Sequence, residues 1–375
     1  MNALRYYRRR VSNAVAKMRV RGYRLVPSLF LHLPRVLLMR GYRIVARDVN
    51  RSRVVRLLNE RSLRRMHCTD EDHAAGGHFY VIVMPGMLHF LLPALALLPE
   101  GVRVRLIANG APAWERRLVA RRFPHFAMCR LRSLPASSLT HGDVISLLLE
   151  TNTGNFGLLD HDCYVFDPAV FDDLAPGPGQ CLTAVYGGIS ERTGLPYPET
   201  YFLFLNTQVL RDIAMRYRVE ARTYHAVPEH LQSVVDRVGL GHGVFVKDHV
   251  TFFDTLHLML TLAIADGFES RFLQWVDHSS IAHLGGTSWK TLETKELIEC
   301  YVDWRFLELM HDDAVRRRYA HRFRPFRSAA QVRAAIPMTP EAYARVALVD
   351  GIVDRLTRAL AQRGPAAGAA LRSPH

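Results

Sequence analysis

Lysine is scarce in this chain. Of 49 basic residues only Lys17, Lys247, Lys290 and Lys295 are lysines. GC-rich codon usage explains that bias more simply than selection for guanidinium geometry, so the arginine excess carries no functional weight by itself. Cysteine is scarce too: Cys68, Cys129, Cys163, Cys181 and Cys300 form an odd set with no C-x-x-C pair. This argues against a secreted disulfide framework and a cysteine-rich zinc site, and fits a reducing, cytoplasmic setting. Long apolar runs are lacking as well. The most apolar early stretch, Val26 to Met39, is broken by His32, Pro34 and Arg35 and is too short to span a bilayer as a helix. It also lacks the uninterrupted core and small-residue cleavage site of a signal peptide.

What is present is a chain of 375 residues, 49% apolar and 22% charged, which can bury a full core. The net charge of +14 is unevenly spread. Residues 1–65 hold 18 Lys+Arg against only Asp48 and Glu60, leaving 31 basic and 33 acidic groups in the remaining 310 residues. A basic footprint at one end attracts a polyanion, either an anionic membrane leaflet or nucleic acid, and says nothing about the chemistry of the body. A solvated extension accounts for it equally well. Residues 1–77 are therefore expected to be a basic arm and linker, the latter ending in the acidic, small-residue run Thr69–Gly77.

From His78 the pattern alternates. His78–Met84 reads as a strand, Met87–Leu98 as an apolar helix, Val102–Ala108 as a strand and Ala113–Phe123 as a basic helix. Phe126–Leu131 is a short strand, a helix follows from Asp143 to about Glu150, and Phe156–Leu159 is a strand. Thr140 with Asp143 makes a capping-box start for that helix. Strand and helix alternating with short connections predict a doubly wound α/β sheet, with ligands at the carboxyl ends of its strands.

A candidate site falls at such an end. In Gly154–Pro168 (GNFGLLDHDCYVFDP) an apolar strand delivers Asp160 and Asp162 with His161 between them. In an extended chain residues two apart point the same way, so the two carboxylates can share one cation or divide between cation and ribose. Asp70-Glu71-Asp72 has the same spacing but follows no strand, so position and not spacing singles out the second copy. A pair of aspartates closing a strand into a turn is the plainer alternative. A second segment, Val276–Lys290 (VDHSSIAHLGGTSWK), offers His283 after a short strand-like run. Gly285 and Gly286 then allow close backbone approach to a diphosphate, with Thr287, Ser288 and Lys290 as donors. A neutral imidazole can complete the coordination of a cation held by two carboxylates. A turn beside a core histidine is the alternative.

Together, a strand-terminal D-x-D and an H-x-G-G-T-S-W-K element about 120 residues later resemble the GT-A class of nucleotide-sugar-dependent glycosyltransferases, over roughly Phe79 to Lys290. The resemblance implies a GT-A-like doubly wound mixed sheet with flanking helices. It implies Asp160 and Asp162 as ligands of Mn²⁺ or Mg²⁺, with Asp160 also touching the sugar nucleotide, and His283 as a further metal or phosphate contact. Lys290 resembles the class's phosphate-contacting lysine, although the order here is Trp289-Lys290. With less weight it suggests Asn206 and Thr207 on the acceptor side, where a simple N-cap pair serves equally. Asp254, placed in the first turn of a helix over Thr251–Gly267, is suggested as catalytic base, where a dipole-stabilised carboxylate is the alternative. Asn109, ending a strand, is positioned to reach the base or ribose of the nucleotide.

The expected organisation is an arm and linker over 1–77, a catalytic domain over 78–292, a helical extension over 293–363 with helices at Thr294–Met310 and Pro340–Gln362, and a disordered tail over 364–375. The expected activity is metal-dependent transfer of a sugar from a nucleoside-diphosphate sugar to a hydroxyl acceptor. That acceptor would be a saccharide or lipid-linked saccharide of the cell envelope, and the arm would touch an anionic membrane peripherally at its inner face. The rival is a basic-armed nucleic-acid-binding protein or metal-dependent nuclease. It predicts basic and aromatic residues around the carboxylates, whereas Phe156, Leu158, Leu159, Tyr164, Phe166 and Asp167 are apolar or acidic, so nucleic acid is not expected as a partner. A zinc site from His67, Cys68, His73 and His78 has irregular spacing that fits no metal signature well.

Overall fold

The computed structural model describes residues 38–39, 41–68, 77–248, 250–285, 292–310, 312–323 and 325–363. The expectations for residues 1–37, most of the linker, Gly286 to Thr291 including Lys290, and the tail after residue 363 lie outside these. The chain forms two compact units.

The larger unit comprises Val45–Pro85 and Leu98–His283. Its elements in chain order are α1 (Arg53–Cys68), β1 (His78–Val83), β2 (Val104–Ala108), α3 (Ala113–Arg122), β3 (Ala127–Arg130), α4 (His141–Thr151), β4 (Phe156–Leu159) and β5 (Cys163–Val165), with α2 (Leu88–Ala96) falling in the other unit. Then come β6 (Gln180–Ala184), β7 (Gly187–Ile189), β8 (Pro196–Pro198), β9 (Phe202–Leu205), α5 (Thr207–Tyr217), α6 (Gln232–Asp236), α7 (His257–Ala265), β10 (Glu269–Phe272) and β11 (Ile281–His283). A seven-stranded sheet runs β10-β6-β9-β4-β1-β2-β3. β1 pairs in parallel with both β2 and β4, and β10 with β6, while β9 runs antiparallel to β4 and β6. The β1 sequence HFYVIV is buried at five of six positions, as a central parallel strand covered on both faces requires. The α/β class with a mixed, mostly parallel sheet and flanking helices is thus the fold observed.

Side-chain caps set the helix boundaries near the sheet edge. Thr140 accepts from the Asp143 amide while Asp143 reaches back to the Thr140 amide, so α4 starts at His141, two residues before the expected start. The helix expected over Thr251–Gly267 begins only at His257. Phe253 pairs with Tyr224 in an isolated bridge, and the Leu256 amide donates to the Ala221 carbonyl at 3.0 Å, which draws the preceding residues into an extended connection. Asp254 therefore precedes the helix instead of lying in its first turn, and Leu256 takes φ of 69°.

The other unit gathers Gly86–Leu97, Leu284–His375 and the described residues through Ile44. Its helices include α2 (Leu88–Ala96), α8 (Leu292–Leu309), α9 (Asp313–Ala320), α10 (Ala329–Ala335) and α11 (Pro340–Gln362). The units divide at His283/Leu284, not after residue 292, and α2 joins the C-terminal helices. Being apolar on nearly every face, α2 buries Leu88 to Leu95, sets His89 2.7 Å from Asp303 and stacks Phe90 edge-on to Phe306.

Candidate metal centre at the sheet edge

Asp160 directly follows β4 at its carboxyl end. Its amide donates to the Tyr201 carbonyl at 2.8 Å, and its carbonyl accepts from the Cys163 amide at 3.1 Å, closing a turn over Asp160–Cys163. The two aspartates thus converge through a turn and not through strand alternation. From that turn β5 pairs antiparallel with β11, in a register that sets His283 opposite Cys163. This pairing brings a distant histidine to the acids. One ligand atom from each of Asp160, Asp162 and His283 lies within 4.8 Å of the others. The His283 Nε2 is 3.5 Å from Asp162 Oδ1 and 3.9 Å from Asp160 Oδ2. Tyr201 stacks on the His283 ring at 4.2 Å with planes 19° apart, fixing its orientation.

The electrostatics divide the two acids. Burial and the Asp162 charge push the Asp160 carboxyl up to about 6. Burial also raises Asp162, but the hydrogen bond and charge of His283 outweigh it and hold this carboxyl below the usual range. Burial disfavours the charged form of His283, yet Asp162 and Asp160 more than offset it and the imidazole is raised. One of two neighbouring acids is thus destabilised as an anion, which is the condition that a dication relieves. Two carboxylates and one imidazole, each open to solvent on one side, suit Mg²⁺ or Mn²⁺, the nitrogen favouring Mn²⁺.

Two residues absent from the sequence-based candidates join the site. His141, the first residue of α4, places Nε2 3.9 Å from Asp160 Oδ1, on the other carboxylate oxygen from His283. Burial lowers its basicity, and the nearby Asp254 charge partly opposes that. Tyr201 is the second. Their only sequence signals were the capping box just before His141 and the aromatic start of β9. Asp254 is close enough that its charge also raises Asp160, so the structure brings it to the same edge.

Other expected residues are placed elsewhere. Asn109 is fully buried: its amide group donates to the Leu139 carbonyl at 3.0 Å and its oxygen accepts from the Leu139 amide at 2.8 Å. It anchors the loop that leads into His141 and does not face a nucleotide. Asn206 and Thr207 lie at the opposite end of the sheet, because β9 is antiparallel to β4 and pairs Leu205 with Phe156. Asn206 caps α5 through the Val209 amide, and buried Thr207 donates to the Gly154 carbonyl. Neither can line an acceptor site beside Asp160. Gly285 has φ of 41° and belongs to the helical unit, where its carbonyl and that of Leu284 accept from Arg345. His67, from the zinc alternative, uses its ring nitrogens on the Tyr80 hydroxyl and the Thr151 carbonyl.

Residues 57–210 match the family model described as the StrH glycosyltransferase N-terminal domain, a span that includes Asp160 and Asp162. No curated protein matches the chain. Among solved structures, the glycosyltransferase GlyE of Streptococcus pneumoniae TIGR4 is 13% identical with a TM-score of 0.33, over 53% of this chain and 46% of that one. The chain thus spans less than half the length of that relative. The mannosyltransferase PcManGT of Pyrobaculum calidifontis, in complex with GDP-Man and Mn²⁺, is 11% identical with a TM-score of 0.36, over 84% of this chain and 85% of that one. TarS 1–349 of S. aureus, in complex with UDP-GlcNAc, is 11% identical with a TM-score of 0.28, over 76% and 83%. These likenesses are too distant to transfer a site, which rests on the residues of this chain.

Proposed function

We propose that the chain is a metal-dependent glycosyltransferase that takes a sugar from a nucleoside diphosphate and delivers it to a hydroxyl acceptor. The convergence of Asp160, Asp162 and His283 at the carboxyl edge carries this reading, and the family match over residues 57–210 supports it. A divalent ion held there would offset the negative charge that develops on the departing diphosphate. Asp162, already stabilised as an anion, is the stronger fixed ligand. Asp160, whose ionised form burial and Asp162 make costly, would be the ligand that the cation relieves, and Tyr201 stacks on the His283 ring and orients it. The nucleoside diphosphate would lie against His141 and the first amides of α4, where the helix dipole favours anions. Asp254, held on a connection whose next-but-one residue is strained at positive φ, is the candidate base for the acceptor hydroxyl. Lys290 and Gly286 remain candidates for the diphosphate from the sequence resemblance alone.

Calorimetric titration of a panel of UDP- and GDP-sugars in MnCl₂, with a parallel hydrolysis assay, tests the reading. At least one donor should bind the wild type only with the metal, and Asp162→Ala should abolish that binding. Equal binding by the variant, or none by the wild type, overturns the assignment.

We also place the acceptor among envelope glycans, with the protein peripheral at an anionic membrane. No helix among the described residues is long and apolar enough to cross a membrane. In the helix over 41–50 and in α1, however, Val45, Val49, Val54 and Leu57 are exposed among Arg47, Arg53, Arg61 and Arg64. Co-sedimentation with phosphatidylglycerol vesicles, lost in high salt and absent with phosphatidylcholine, is the expected result. Equal recovery with both lipids removes the membrane assignment.

A further inference from the structure

The carboxyl edge of the sheet continues beyond the metal centre. β4, β6 and β10 point the same way, since β9 is antiparallel to both β4 and β6, and β10 is parallel to β6. Asp160 leaves β4 opposite Tyr201, whose neighbour Phe202 accepts from the Val185 amide just after β6. Tyr186 follows directly, two strand spacings from Asp160, or about 10 Å along the edge. On the next strand the Leu273 amide donates to the Ala184 carbonyl, so Trp275 leaves β10 at the same edge.

These residues keep their apolar surfaces in water. Tyr186 is 51% exposed, Trp275 52% and Ile189 70%, and the Tyr186 ring faces that of His278 at 6.4 Å. They stand on a stiff base. A Cβ at Gly187 would meet the Phe272 ring of β10 at 2.0 Å and one at Gly188 the hydroxyl of its cross-strand partner Tyr197 at 2.5 Å, so the β7–β8 hairpin packs against β10 without room for a side chain at either glycine. The Glu199 amide donates to the Tyr186 carbonyl at 2.9 Å, and its carboxylate receives Lys247 at 3.0 Å. Glu199 thus sets a carboxylate acceptor beside the backbone of Tyr186, and Glu199 lies two residues before Tyr201, which stacks on His283.

We infer that Tyr186 and Trp275 form the platform on which the saccharide acceptor rests. Pyranose rings present apolar C–H faces that stack on aromatic side chains and rims of hydroxyls that need acceptors such as Glu199. A span of about 10 Å holds two sugar residues, so the platform grips the penultimate unit while the terminal hydroxyl approaches the donor site. Exposed aromatics joined to a cluster of site residues mark a ligand surface better than isolated ones do. This inference rests on the proposed transferase reading.

The test uses the full chain and five disaccharides as probes: maltose, cellobiose, mannobiose, chitobiose and lactose, followed by saturation-transfer NMR. At least one should bind, and Trp275→Ala and Tyr186→Ala should each weaken it about tenfold. Trp275→Phe should weaken it less, with Mn²⁺-dependent nucleotide binding and thermal midpoint unchanged in all three. Absence of binding by every disaccharide, or equal binding by the alanine variants, overturns the platform. A concentration-dependent dimer dissolved by the same substitutions also overturns it and assigns the face to a second copy. If the wild type binds no nucleotide sugar but disaccharide binding tracks the two rings, the donor assignment fails and the platform stands.

Discussion

Replacing Asp160 by asparagine should make the metal-free protein more stable at neutral pH while destroying metal binding. In the folded state burial and Asp162 raise this carboxyl from 3.8 to about 6. Between those values the folded state holds more protons than the unfolded chain, so stability falls as pH rises through the window and the loss is complete above it. At 1.36 kcal/mol per pH unit the cost of the ionised group at neutral pH is about 3 kcal/mol. Asparagine removes the charge but keeps a polar amide to desolvate, so a gain of about 1–2 kcal/mol is expected, worth roughly 2–8 °C in Tm for a unit of this size. The assay is a thermal melt in chelator from acid to neutral pH. The variant should gain over wild type as pH rises through 6 and show little difference at pH 4. Added MnCl₂ should raise the wild-type midpoint only. A destabilised variant at neutral pH, or a gain independent of pH, would refute the picture of an acid held as a costly anion for a cation to relieve.

Two further substitutions probe the frame around the centre. Asn109→Ala leaves the buried amide and carbonyl of Leu139 without their partners and should cost about 2–3 kcal/mol in urea unfolding, with weakened nucleotide-sugar binding through displacement of His141. A loss within 0.5 kcal/mol would show that the loop stands without it. Gly157→Ala would set a Cβ 2.2 Å from the Phe79 ring in the neighbouring strand, whereas Gly154→Ala meets nothing within 4 Å. The first should cost about 1–3 kcal/mol and the second stay within about 0.5 kcal/mol. Equal melting temperatures for the two would contradict the packing.

Much of the frame was legible because local rules and global fold agree. The bounds of β4 and α11 coincide with the apolar patterns that announced them, and the Thr140–Asp143 capping box forms as read. Where the reading went astray, tertiary partners decided. The aromatic run before Asn206 is a strand, but strand alternation is the same read in either direction, and only its antiparallel pairing shows that Asn206 faces away from the site. Asn109 ends a strand at the right edge, yet its side chain is consumed by Leu139. The helix expected from Thr251 starts late because Phe253 is claimed by Tyr224.

The sequence by itself determined the α/β alternation, the caps and the delivery of Asp160 and Asp162 to the end of an apolar strand, because periodicity and capping act over a few residues. Only the tertiary structure decided which distant groups meet them. The β5–β11 register sets His283 opposite Cys163, the Asn109-anchored loop sets His141 against Asp160, and the strand order lines up Tyr201 and Tyr186 along one edge. Such pairings are fixed by long-range hydrogen bonds and shared burial, whose partners lie too far apart in the chain for any local pattern to record.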